Sequence, residues 1–428
     1  MNHTVNRRTL LQLAGLGAGA SLVAACTPSA PGPSTATASR DANAKPVNFR
    51  LAAWTLADDI SKVGVQHLMQ SYQSAKSITI TPVPIAFTEY LNQLLLQVRG
   101  GQFAGAAQLD ISWLSQLAAL GKLRDLGYLT SGAGYTDTAL SSGNLQGKQY
   151  GLPWTTGAIG LIVNQKILNQ VGIKALPTSV ADFETALREI KGTGVVPYAA
   201  STKVAQLKDI LIWMQTFGSP LYENGKVTIG DDASIEAVTW YKKLYDQRLI
   251  APDVDRADAR ALFAQGKTAM YDDAIVGKDV VLKQAADKSL INSIVPASRP
   301  VRQSGDKPRA LQWGHIAVVV EGEGADTAAD FAKFATSDIK AVLQYFKDVS
   351  LPPTTSAALK DPAVTSDAFT TAFGEKITAT ATPNPFWPFP QYAQMENAVS
   401  QQVQAVLIGK SSPKDALMAA RDALQKLI

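Results

Sequence analysis

Apolar residues recur along this chain with two periods. In "VNFRLAAW" Val47, Phe49 and Leu51 alternate with their neighbours, and in "SITITPVPI" Ile78 and Ile80 do the same before prolines follow. A period of two predicts strands, the second ended by its prolines. Leu91, Leu94, Leu95 and Val98 have helical spacing and stop at Gly100 and Gly101, while Phe183, Ala186, Leu187 and Ile190 follow a cap at Ser179 and stop at Gly192. Ile339, Val342, Leu343 and Phe346 form another such face behind Ser337. The last face is Leu417, Ala420, Leu424 and Leu427, behind Ser412 as cap and Pro413 in the first turn. "AIGLIV" and "HIAVVV" show no alternation, which predicts strands buried on both faces, as in parallel sheets. Strands alternating with helices from residue 46 onward place the chain in the α/β class, without a detectable repeat.

The beginning of the chain follows neither period. Arg7 and Arg8 precede the apolar run "TLLQLAGLGAGASLVAA", and small residues lead up to Cys26. Basic, apolar and cleavage regions in that order read as an export signal over 1–25, too short to span a bilayer. Cys26 is the only cysteine in 428 residues, so it has no intramolecular disulfide partner, and three histidines are too few to build a metal site around it. "LVAAC" resembles the lipobox of bacterial lipoproteins, in which the cysteine carries a diacylglycerol and becomes the new N-terminus; an incidental cysteine near an ordinary cleavage site is the alternative. "NRRTLLQ" resembles a twin-arginine signal with Leu10 where Phe is usual, so Sec export stays open. "PSAPGPSTATASRDANAKP" is rich in Pro, Ser, Thr and Ala and buries nothing, so 26–45 reads as a flexible tether.

Removing 1–25 takes away Arg7 and Arg8, and the count of Lys plus Arg falls from 40 to 38 against 36 acids. The mature chain is nearly neutral, its cations are scattered, and nothing points to nucleic acid. A hydrophobic fraction of 46% suffices for packed cores in about two to three domains on length. After Cys26 no apolar run is long enough to cross a bilayer.

Few catalytic motifs survive inspection. "GLGAGA" lies inside the export segment, and "ALFAQGKT" has Ala261 where a phosphate loop needs its first glycine. With His3 removed on cleavage, His67 and His315 remain, and there is no G-x-S-x-G elbow, so a Ser-His-Asp enzyme is unsupported. Asp58, Asp59, Glu89, Asp110, Asp272 and Asp273 leave open a glycosidase acid and base pair. All seven tryptophans fall in the mature part. Trp213 and Trp240 sit in helical patterns and read as core. Trp54, Trp113, Trp154, Trp313 and Trp387 stand at strand ends or in proline-rich turns, where rings often face a cleft. Aromatic faces stack on the apolar faces of sugar rings while carboxylates take the hydroxyls.

Five landmarks in order resemble the carbohydrate-type extracellular solute-binding proteins of bacterial ABC importers. They are "YLNQLLLQVRGGQFAGAAQLDISWLSQLAALGKLRDL", the passage from "LQGKQYGLPWTTGAIGLIVN" through "LPTSVADFETALREIKGTGVVPYA", "LFAQGKTAMYDD", "QWGHIAVVVEGEG" and "VLIGKSSPKDAL". Two departures stand out: "YDDAIVG" has no tryptophan where sugar-binding members often do, leaving Asp272 or Asp273 for polar contacts, and Leu109 replaces a proline before Asp110.

The resemblance implies an α/β, two-lobe periplasmic-binding-protein-like fold with a ligand cleft between lobes. One lobe is expected over 46–156 and 312–360, the other over 157–311 and 361–428. It implies a binding protein rather than an enzyme, without cofactor or metal, that captures a mono- or oligosaccharide by lobe closure. The expected ligand-binding residues are Trp54, Asp58, Glu89, Asp110, Trp113, Trp154, Asp273, Trp313, His315 and Trp387. Expected partners are the sugar, the transmembrane subunits of an ABC permease and the outer face of a bacterial membrane, reached through lipid on Cys26, with the protein a monomer. A secreted carbohydrate-active hydrolase, or the same fold holding a polyamine or other small solute, are the alternatives.

Overall fold

The computed structural model describes residues 45–59 and 61–428. The expected export segment, Cys26 and the tether up to residue 44 lie outside the described residues. Among the described residues no helix is long and apolar enough to cross a membrane.

A nine-stranded sheet organises residues 45–428. Its main path runs Ile80–Pro84, Phe49–Ala53, Gly105–Asp110, Ala310–Val320, Gly151–Asn164, Thr268–Asp273 and Val196–Ala199. Ile294–Ala297 also pairs with Gly151–Asn164, and Ala381–Thr382 with Ala310–Val320. Two long strands hold this sheet together. The first, Gly151–Asn164, is antiparallel to Ala310–Val320 from Gly151 opposite Val318 to Ile159 opposite Leu311, and then pairs with Thr268–Asp273 from Gly160 opposite Asp273 onward. Both long strands therefore pass from one group of parallel strands toward the other. A register shift between His315 and Ile316 marks where the second one bends.

Burial explains why these segments lack alternation. Almost every residue of Gly151–Asn164 and Ala310–Val320 is buried, whichever face its side chain takes. The expected parallel pairing does not hold for them: their ladders are antiparallel in a mixed sheet, since burial on both faces, not strand direction, is what removes the polar positions. The second strand, Ile80–Pro84, runs through Pro82 and stops at Pro84, so the second of its prolines ends it and the first does not. It lies at the sheet edge, where a missing N–H breaks no ladder bond.

The helices follow their signals closely. Phe87–Arg99 stops before Gly100 and Gly101, the latter at φ +70°. Val180–Lys191 starts where the Ser179 hydroxyl accepts from the Asp182 N–H, and Pro413–Gln425 starts the same way at Ser412. The cap of Ile339–Val349 is Asp338, not Ser337, which closes the preceding helix Ala325–Ser337. Asp338 accepts from the N–H groups of Lys340 and Ala341, a stronger, charge-assisted cap. Trp213 and Trp240 lie in a core with Phe183, Met395 and Leu417, as their helical spacing predicts. A second core gathers Ala52, Tyr90, Leu109, Leu114 and Ile316 around the first parallel strands.

Candidate functional site

Three strand segments converge on one group of rings. Trp54 follows the strand Phe49–Ala53 directly, Trp113 stands in the 3-10 turn after Gly105–Asp110, and Trp313 and His315 lie on Ala310–Val320. The first two stand at the carboxyl ends of parallel strands, the usual place for ligands in open α/β sheets. Trp54 is the hub, edge-on to Tyr90 at 5.1 Å, Trp113 at 5.5 Å, Phe87 at 5.7 Å and His315 at 4.8 Å between ring centres. Trp113 stacks on Tyr90 at 5.9 Å, and Trp313 meets His315 at 4.9 Å. The Trp313 ring covers Gly157 of the facing strand, where a methyl group would stand only 3.3 Å from it. Tyr90 is buried and its hydroxyl lies within hydrogen-bond distance of the Ala52 and Gln108 carbonyls, tying the helix Phe87–Arg99 to two strand ends.

His315 is held neutral. Burial pushes its imidazole down to about 3, far below the ordinary value. The Thr55 hydroxyl donates to the Gln108 amide oxygen at 2.8 Å, and the Gln108 amide nitrogen lies 3.2 Å from His315 Nδ1. With the amide donating, Nδ1 is the acceptor and the proton sits on Nε2.

A polar cluster borders the rings. Asp110 ends its strand by accepting from the Ser112 N–H at 2.9 Å and its hydroxyl at 2.6 Å. Burial raises the Asp110 carboxyl above the ordinary range, with the Ser112 hydrogen bonds and the charge of Lys208 opposing it. Lys208 comes from the helical turn Leu207–Asp209, far along the chain. Burial alone would lower it, but Glu396, Asp209 and Asp110 outweigh that and hold it above its usual value. Its ammonium lies 3.3 Å from Glu396. The other Glu396 oxygen accepts from Asn384 at 2.7 Å and from the Trp387 indole N–H at 3.1 Å. Asp209 pairs with Arg256 at 2.5 Å. Ser115 donates to the Phe389 carbonyl at 3.1 Å, and a cavity of about 110 Å³ lies against Leu114, Gln312, Asn384 and Trp387.

The ten residues expected at a ligand site are therefore not one constellation. Trp54, Trp113, Trp313 and His315 touch, Asp110 lies beside them, and Trp387 packs with Trp113 and Trp313 against shared cores. Asp58 and Glu89 are exposed nearby, with Asp58 accepting from the Ser61 N–H at 3.0 Å. Trp154 is on another face, buried against Tyr345 at 5.6 Å. Asp273 is fully buried and bound by both arms of Arg260 at 2.6 and 2.8 Å, while Asp272 pairs with Arg299 at 2.5 Å. The polar contacts considered for those two carboxylates are thus made to arginines of the chain itself. Sequence reasoning missed Lys208 and Glu396. A signal for Glu396 existed, since it interrupts the buried stripe Tyr392, Met395, Val399 and Val403 of one helix. Among the described residues no His, Cys, Asp and Glu cluster could hold a metal ion.

Comparison with known proteins gives the family and the fold. A putative binding protein of Brucella abortus is 24% identical over 256 residues, 57% of this chain and 62% of the relative. The diacetylchitobiose binding protein DasA of Streptomyces coelicolor is 26% identical over 52% of this chain and 53% of its own length. The chain thus spans between half and two thirds of these curated relatives. Among solved structures, the GacH receptor of Streptomyces glaucescens, determined unliganded and with acarbose, superposes with a TM-score of 0.78 at 22% identity, over 89% of this chain and 98% of the receptor. The maltose-bound MalE3 of T. maritima gives 0.75 at 18% identity, over 89% and 100%. These neighbours share the two-lobe fold of periplasmic binding proteins. The profile of the bacterial extracellular solute-binding proteins matches residues 67–372, and the chain belongs to that family of binding proteins.

Proposed function

We propose that the protein is the substrate-binding lipoprotein of an ABC importer, taking a mono- or oligosaccharide between its lobes and delivering it to the permease. The observation that carries this reading is the group of rings around Trp54, bordered by Asp110, Lys208 and Glu396. Ring faces suit the apolar faces of pyranoses, and charged acceptors and donors beside them suit hydroxyl groups. The relatives' names point the same way, to diacetylchitobiose, acarbose and maltose.

In this reading 46–156 with 312–360 form one lobe and 157–311 with 361–428 the other. The ring cluster belongs to the first, and Lys208, Trp387 and Glu396 belong to the second. A saccharide touching both groups has its full set of contacts only when the lobes are together, so binding shifts the population toward closure. Trp54, Trp113, Trp313 and Trp387 supply faces, with Asp110 accepting from hydroxyls; Asp58 and Glu89 stand at the rim. Trp154 and Asp273 serve packing and ion pairing rather than contact. Cys26 carries lipid that keeps the monomeric protein at the outer face of the membrane. The chain contributes binding and closure, and transport energy comes from the importer.

A thermal-shift and tryptophan-emission screen tests this, with maltose, diacetylchitobiose, acarbose, monosaccharides and spermidine. A ligand at 100 times its dissociation constant adds about 2.7 kcal/mol to the folded state. A saccharide should raise the melting point and change the emission. A response to spermidine alone would sink the carbohydrate reading and leave the fold untouched.

A further inference from the structure

One cavity lies away from the rings. It holds about 500 Å³, within the range of small-molecule sites. Its side of the sheet follows from the ladder. Residues directly opposite on paired strands share a face and successive residues alternate. Gly157 lies opposite Trp313 and under its ring, so Thr156, which lines the cavity, points the other way. The cavity therefore sits behind the long strands. Thr136, Thr156 and Pro352 line it from one side of the proposed lobe division, and Thr365, Thr371 and Thr378 from the other.

Its chemistry is specific. The walls alternate threonine hydroxyls with apolar surface from Leu359, Val364 and Ala381. A hydroxyl both donates and accepts: that of Thr371 donates to the Thr365 carbonyl at 3.1 Å and keeps its lone pairs for another donor. No lysine or arginine lines the space, and its single charged residue is the exposed Glu375. An anion would find no counter-charge there. A compact molecule carrying hydroxyls around an apolar ring would match hydroxyl to hydroxyl and carbon to methyl.

We propose that this cavity is a second binding site, for a compact uncharged polyol, and that its occupant favours the arrangement in which the front of the molecule is closed. The coupling rests on the two-lobe reading above. Two bodies turning about shared strands open a rear space as the front shuts. Here the rear cavity is open while Ser115 reaches Phe389 at the front. An occupant that fits the open cavity binds this arrangement preferentially, and the effect of front and rear ligands on each other is reciprocal.

The probe is myo-inositol, titrated against the mature protein by saturation-transfer NMR and tryptophan emission. Saturable binding with an emission change is expected. Thr371→Phe fills the space from a half-buried position; Ala379→Phe does so from an exposed one, where folding is not at stake. Each should weaken inositol binding by at least about tenfold, a loss of about 1.4 kcal/mol, while a saccharide that saturates the front leaves inositol bound. Absence of saturable binding, or binding that survives both phenylalanines, overturns the rear site. Displacement of inositol by a saccharide that saturates the front overturns it too, since the two then share one site. Binding that leaves the emission unchanged overturns the coupling. The two readings fail separately: a saccharide response without inositol binding removes only the rear site, and inositol binding that depends on Thr371 without any saccharide response removes only the front assignment.

Discussion

Replacing Trp113 by alanine separates a binding ring from a packing ring. Trp113 is half-buried, stacked on Tyr90 at 5.9 Å and edge-on to Trp54 at 5.5 Å, and it packs against both main cores. An aromatic side chain buries about 150–250 Å² in a core. With about half of that removed from water here, at about 25 cal/mol per Å², truncation costs about 2–3 kcal/mol of fold stability. Trp213→Ala is the control, because that ring is 2% exposed and lies under the Arg299 guanidinium at 4.5 Å. Its loss should cost about 3–5 kcal/mol. The two variants differ in what they do to ligand. Trp113→Ala should also weaken saccharide binding by about 1–3 kcal/mol, roughly 5- to 150-fold in Kd, and Trp213→Ala should leave the Kd of the folded fraction within about threefold, below 1 kcal/mol. Urea denaturation gives the first quantity and isothermal titration the second. If Trp113→Ala leaves Kd unchanged while stability drops, the ring is packing and the assignment of the front site is wrong.

Three further outcomes follow from the same geometry. His315 titrates at about 3 when folded and near 6.5 when unfolded, so the unfolded chain binds the extra proton first. Stability from this group is full above pH 6.5 and lost as pH falls toward 3, by about 2 kcal/mol at pH 5 at 1.36 kcal/mol per unit. His315→Gln should flatten that part of the urea-denaturation profile, and an unchanged slope refutes the burial argument. Glu396→Ala strands Lys208, Asn384 and the Trp387 indole, and should cost about 3–5 kcal/mol by denaturation; Glu396→Gln, which keeps an acceptor, should cost clearly less. Cys26→Ala should release the protein from membranes and abolish lipid labelling, since stable anchoring requires more than one acyl chain at about 0.8 kcal/mol per buried CH2.

How much was legible from sequence differs by kind of information. Helix limits were readable because caps and stops are local: Ser179, Ser412 and Gly100 act on neighbours within a turn. The direction of the buried strands was not, because "HIAVVV" reads the same whichever way its neighbour runs. Strand-end rings were readable for a related reason. A large side chain placed where a strand stops projects past the sheet, and Trp54 and Trp113 do so. Trp154 sits in a similar local pattern, yet it is inside the long strand, and only tertiary packing puts it on Tyr345. Lys208 and Glu396 come from distant helices, so their pairing depends on contacts that no local period encodes.

That division also bears on how the molecule would move. Described bonds between the ring cluster's surroundings and the segment carrying Trp387 and Glu396 are few and polar, such as Ser115 to the Phe389 carbonyl. Each contributes about 0.5–1.5 kcal/mol net, because water replaces it on opening. The long strands are different, since breaking either would expose a buried ladder. Any swing between the proposed lobes is therefore confined to bending within those strands. The sequence makes bending easiest near Gly157 and Gly314, which lie one pair apart, and at the register shift after His315. The Trp313 ring covers the first of these glycines and touches His315. The ring proposed to meet a ligand thus rests on the backbone where the proposed lobes would bend, and in that proposal contact with the ring and the angle between the lobes do not change independently.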